Sequence, residues 1–164
     1  MPAASSNSRA QTSAAKTTRP RRSARAFLRQ IADELPSHLP PKWRGYDAEL
    51  WSRHYKIWFT DPKVHFEVQF LRNGNLEIGL HLEAGASVNE RIGDALEKKR
   101  AGIEKALGPE AKFGSHGRGW VSIAERWSGG SMRAEEAATE AASRLGQYVA
   151  AIAPLLPAAM RAEG

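Results

Sequence analysis

Two His-x-Glu pairs, His65-Phe66-Glu67 and His81-Leu82-Glu83, are the residues of this chain best suited to do chemistry. Imidazole and carboxylate together are the ligand types that zinc, manganese or iron(II) sites use. They would serve equally as an acid–base pair, because histidine titrates near neutrality. Glu67 and His81 are the candidate catalytic groups, and His65, Glu67, His81 and Glu83 the candidate metal ligands. A divalent metal is compatible with this set, but no ligand motif as tight as HExxH demands one, so no cofactor is predicted. The competing reading is a solvated sheet face, on which His–Glu and Lys–Glu cross-strand pairs contribute roughly 0.2–1 kcal/mol each.

A hairpin has to position these groups. Val64, Phe66, Val68 and Phe70 alternate with His65, Glu67 and Gln69, and Leu76, Ile78, Leu80 and Leu82 alternate with Glu77, Gly79, His81 and Glu83. Alternation with period two marks strands with one apolar and one polar face. A two-residue turn at Asn73-Gly74 would set polar residues of one strand beside apolar residues of the other, because a one-residue slip flips a whole strand. A three-residue loop with glycine in the left-handed position restores agreement. With Arg72-Asn73-Gly74 as the loop, His65 opposes His81. With Asn73-Gly74-Asn75, Glu67 opposes His81 and His65 opposes Glu83.

A preceding strand, His54–Thr60, extends the hairpin into a meander. It turns at Thr60-Asp61-Pro62-Lys63 and sets Lys56 against Glu67 and Trp58 against His65. The polar face then collects His54, Lys56, Trp58, His65, Glu67, Gln69, Glu77, His81 and Glu83. An outward tryptophan such as Trp58 is unusual unless something covers it. Whether the C-terminal helix covers this face is not encoded in the pattern.

The remaining elements follow from periodicity and punctuation. Ser23 caps a helix to Leu35, with Phe27, Leu28, Ile31 and Leu35 on one stripe. A short helix is predicted at Asp47–Ser52. Asn89 caps a helix that runs to Leu107. Phe113–Arg118 reads as a glycine-containing loop whose amides and Arg118 would cradle an anion. Trp120–Ala124 is a fourth strand, a helix runs from about Met132 to Ile152, and LLPAAMRAEG is a tail or final short turn. The expected fold class is α+β: helix, three-stranded antiparallel meander, helix, short fourth strand and C-terminal helix, with a disordered basic N-terminal tail. The corresponding units are a tail over 1–22, a single domain over 23–153 and a C-terminal tail over 154–164.

Charge is distributed unevenly over the 164 residues, whose formal net charge is +6. Residues 1–32 hold seven basic groups and no acid, whereas the rest carry 17 basic and 18 acidic groups. The arginines Arg19, Arg21, Arg22 and Arg25 are candidates for contact with an anion or, non-specifically, with nucleic-acid phosphates. No aromatic residue interleaves with them, so they encode no stacking platform. With no cysteine there is neither a disulfide nor a thiolate metal site, which fits a reducing cytoplasm. No apolar run is long enough for a membrane span, so no membrane partner is expected.

In element order the predicted core resembles the restriction-endonuclease-like nucleases, whose sheet carries an Asp and then an Asp/Glu-x-Lys on neighbouring strands. Here the third strand has Glu77-Ile78-Gly79 and His81-Leu82-Glu83, without the lysine. The sequence therefore points first to a non-enzymatic α+β module that binds a protein partner or an anionic surface, assisted by its basic tail. The alternative is a metal-dependent hydrolase, nuclease-like, that uses the His/Glu face of the sheet.

Overall fold

The hairpin closes in the three-residue form. Leu71 N–H donates to the Asn75 carbonyl at 2.8 Å and Gly74 N–H to the Leu71 carbonyl at 3.0 Å. Gly74 has φ +84°, a conformation that costs glycine little and other residues more. The loop is therefore Arg72-Asn73-Gly74, and the register sets His65 opposite His81, Phe66 opposite Leu80 and Val68 opposite Ile78. The expected pairings of Lys56 with Glu67 and Ile57 with Phe66 also hold.

The computed structural model describes residues 22–163. In chain order the elements are α1 (Ala24–Glu34), β1 (Asp47–Leu50), β2 (His54–Trp58), β3 (Val64–Phe70), β4 (Leu76–Leu82), α2 (Ala86–Glu97), α3 (Arg100–Leu107), β5 (Lys112–His116), β6 (Trp120–Trp127), α4 (Ala137–Ile152) and α5 (Leu156–Arg161). The fold is α+β, with one six-stranded antiparallel sheet in the order β1-β2-β3-β4-β6-β5. Among the described residues no helix is long and apolar enough to cross a membrane.

The helices gather on the apolar face. α1 packs on β2 and α4, and α4 lies across β3 and β4. α2 reaches β6, where a Cβ added at Gly93 would stand 3.3 Å from Cγ1 of Val121, a residue paired with Leu82. Tyr148, Leu145 and Ile152 of α4 join Phe66, Ile78 and Leu80 of the sheet in a continuous core. Each such side chain contributes roughly 1.5–3 kcal/mol by leaving water. Ser23 caps α1 as expected, its Oγ accepting from Ala26 N–H at 3.1 Å.

Several expectations need correction. The meander has four strands, because Asp47–Leu50 is an edge strand paired with β2 and not a short helix. The glycine-containing stretch after Phe113 is largely strand β5, and the strand expected as fourth is the sixth and continues to Trp127. The helix expected from Asn89 to Leu107 begins at Ala86 and breaks at Lys98-Lys99 into α2 and α3. The last helix begins at Ala137, and residues 156–161 form α5 with Leu156 and Ala159 buried. The expected basic tail lies outside the described residues apart from Arg22.

Candidate functional site

On the face opposite the helices, side chains form cross-strand rows. One runs Ser122–His81–His65, and its neighbour runs Lys112–Ala124–Gly79–Glu67–Lys56–Glu49. Extending the β2–β3 register by one residue sets Trp58 beside His65, and extending β4–β6 sets Trp120 beside Glu83. His65 is 0% exposed, Glu67 3% and His81 7%, although α1, α2 and α4 pack on the other face.

The structure brings together three of the four candidate ligands. One ligand atom from each of His65, Glu67 and Glu83 lies within 4.8 Å of the others. His65 Nδ1 is 2.9 Å from the Pro62 carbonyl, an acceptor, so Nδ1 carries the proton and Nε2 is turned toward the cluster. Nε2 and Glu67 Oε2 stand 3.4 Å apart. As a hydrogen bond this contact requires an imidazolium, and it is longer than the ~2.7–2.9 Å usual for N⁺–H···O⁻. Two ligand atoms at ~2.0–2.2 Å from a tetrahedral zinc stand about 3.4 Å apart. The Pro62 bond is the kind of outer contact that fixes a ligating histidine's tautomer and ring orientation.

His81 does not join the three directly. Its ring lies nearly parallel to that of His65, with centroids 5.9 Å apart, and its Nε2 is 3.5 Å from Glu77 Oε1 without hydrogen-bond geometry. Among the described residues, His81 Nε2 is the one buried side-chain N or O atom with no hydrogen-bond partner. Burial holds the His81 pKa below the ordinary histidine value, opposed by the charges of Glu67 and Glu77. For Glu67 burial acts upward, but the His65 hydrogen bond and the charges of His81 and Lys56 outweigh it and hold the carboxyl below its usual range. Lys56 Nζ stands 3.6 Å from Glu83 Oε2, which adds an ammonium to the rim.

Of the anion-contact candidates, Arg22 and Arg25 lie away from this face. Arg19 and Arg21 are outside the described residues. Arg22 bonds Gln30, and Arg25 is exposed on α1, in the helix layer.

Several residues take places that the sequence reading did not assign them. His116 belongs to the same face, and its Nε2 meets Ser122 Oγ at 2.7 Å. Asn89 is not a cap but a buried clamp. Its Oδ1 accepts from Ala84 N–H at 2.9 Å, and its Nδ2 donates to the carbonyls of Ala84 at 3.2 Å and Gly119 at 2.9 Å. Arg118 has φ +70°, the one non-glycine residue with positive φ among those described, and its guanidinium lies 5.9 Å from the Trp120 ring centroid. On the opposite face, Glu125 sits in the apolar row beside Ile78. Its Oε1 accepts from Arg144 Nε at 2.6 Å and Tyr148 Oη at 3.0 Å, and its Oε2 from Trp127 Nε1 at 2.9 Å. Strand alternation extended past Ala124 would have flagged this carboxylate.

Comparison with protein-family models, curated proteins and solved structures finds no match to the chain.

Proposed function

We propose that the protein is a cation-binding α+β module whose divalent ion, zinc by the ligand chemistry, sits among His65 Nε2, Glu67 and Glu83 on the polar sheet face. One observation carries the reading: Nε2 of His65, its Nδ1 already engaged by Pro62, and a Glu67 oxygen stand 3.4 Å apart, long for a charge-assisted hydrogen bond and equal to the spacing of two ligand atoms on a tetrahedral ion. The unpaired, buried Nε2 of His81 supports it, since a site whose polar groups are incompletely satisfied is one that a ligand would complete. Three protein ligands leave a fourth position for an exchangeable group.

Lys56 favours a second reading, a metal-dependent hydrolase. It sets an ammonium next to Glu83 and so supplies, from β2, the lysine that the third strand lacks. In that reading Lys56 would steady negative charge developing on a metal-bound ester.

The test is thermal and calorimetric titration of the full chain with Zn²⁺, Mn²⁺ and Mg²⁺. Zinc at about 100 times its dissociation constant should add roughly 2.7 kcal/mol of stability. The shift should vanish in Glu67→Gln and His65→Ala. A wild-type protein that takes up none of the three ions refutes the reading.

A further inference from the structure

The cation site lies between two indoles that its own chemistry leaves unused. Trp58 on β2 is half-buried beside His65, and Trp120 on β6 is 37% exposed beside Glu83. From β2 to β6 there are three strand separations, about 14 Å. Indole faces on an open sheet surface stack on any base, because every base has a π-face. A cationic side chain stands at the same rim: Arg118, held at φ +70° between Gly117 and Gly119, with its guanidinium near the Trp120 ring. A non-glycine residue in that region costs backbone energy and is worth a functional explanation. Gly119 itself is pressed against Ala86, where an added Cβ would fall 2.5 Å from that residue's Cβ, so the loop cannot shift inward.

Charge decides how such a ligand would bind. On this face Arg126 pairs with Glu77 at 2.9 Å and Lys56 with Glu83 at 3.6 Å, which leaves Glu67 as the carboxylate that repels phosphate until a cation offsets it. A divalent ion at His65, Glu67 and Glu83 reverses the sign at the middle of the surface and offers its exchangeable position to a phosphate oxygen. Stacking at the two flanks and an ion-held phosphate between them suit an extended strand with splayed bases. A duplex keeps its bases stacked inside and cannot present them to either indole.

We infer that the polar face binds single-stranded nucleic acid in a cation-dependent manner, with bases stacked on Trp58 and Trp120, a phosphate on the metal ion and Arg118 on a flanking phosphate. The inference rests on the cation reading above and names the ligand of that site. Because ion and strand meet at one position, each should raise the affinity for the other by the same factor.

Fluorescence anisotropy of a labelled oligothymidylate, titrated with the full chain in zinc and again in EDTA, tests it. Zinc should strengthen binding at least about tenfold. Trp120→Ala should weaken it about tenfold or more, a factor that corresponds to the lower half of the range for one base stack. Trp120→Phe should stay close to wild type, since a ring remains. Arg118→Gln should lower the slope of log affinity against log salt by about one. Calorimetry with zinc alone should find Trp120→Ala unimpaired. Zinc uptake with strand binding that ignores Trp120→Ala overturns this inference and leaves the cation site standing. Strand binding that depends on Trp120 and ignores zinc overturns the inference of coupling, and the cation reading falls with it only where calorimetry finds no zinc uptake. A duplex that competes as well as the single strand, or free thymidylate that competes as well per nucleotide, also overturns it.

Discussion

The sheet buries carboxylates on both faces, and two of them, Glu125 and Glu67, are held in opposite ways, while Glu77 on the open face accepts from Gln69 and Arg126. On the helix side, Glu125 accepts from Arg144, Tyr148 and Trp127, and both of its oxygens are engaged. On the open side, Glu67 faces the lone-pair nitrogen of His65 across 3.4 Å, and His81 Nε2 has no hydrogen-bond partner. A fully connected polar network of the first kind rigidifies a core, whereas a partly connected one carries a standing cost that something has to offset. On the proposed cation reading, the contrast separates a group that serves stability from one that serves a ligand.

The largest expected effect breaks the satisfied side. Glu125→Ala leaves the Arg144 charge and two further donors without their acceptor, and should cost about 3–5 kcal/mol, read as a fall in the urea midpoint at constant m-value. A loss no greater than that of an exposed substitution would erase the distinction between the faces.

A smaller effect should appear on acidification in EDTA. His81 has its pKa depressed by burial, so below its ordinary value of 6.5 the unfolded chain binds the proton first and folding stability falls. Glu67 is also depressed, so its contribution is present above its ordinary value of 4.5 and is lost as pH drops through its folded value. Urea midpoints should therefore decline from about pH 6.5 downward, and His81→Gln should flatten the upper part of that decline. A stability that rises on acidification from neutrality would contradict the neutral, buried state of His81.

The smallest effect is the most discriminating. Glu67→Gln in EDTA should change stability by less than about 1 kcal/mol, because the attraction it loses to His65 and Lys56 is set against the burial cost of the charge it removes, and the amide can donate to its neighbours. The same substitution should abolish the zinc shift. Large destabilisation without metal would make Glu67 a structural partner like Glu125.

The central hairpin was legible because parity constrains it: with His65 and Glu67 on one face, an even loop is excluded. The outer strands were not. Asp47-Ala48-Glu49-Leu50 has helix-favouring residues, and only its pairing with β2 makes it a strand. β5 contains Gly114 and ends before Gly117, so its pattern reads as loop until β6 is set beside it. Nothing at Lys98-Lys99 announces a helix break, whereas Gly93 and Gly102, which do look like breakers, sit inside helices. For the candidate site, the polar face was readable from alternation. Its pairwise distances, the Pro62 contact and the addition of His116 depend on long-range register.

Asn89 has a consequence for anything that binds nearby. It ties Ala84, the residue after Glu83, to Gly119, the residue before Trp120, through a single buried amide. The carboxylate and the indole are thereby held at a set spacing before any ligand arrives. Association then loses little conformational entropy on the protein side, and affinity gained this way should show itself in slow dissociation more than in fast capture.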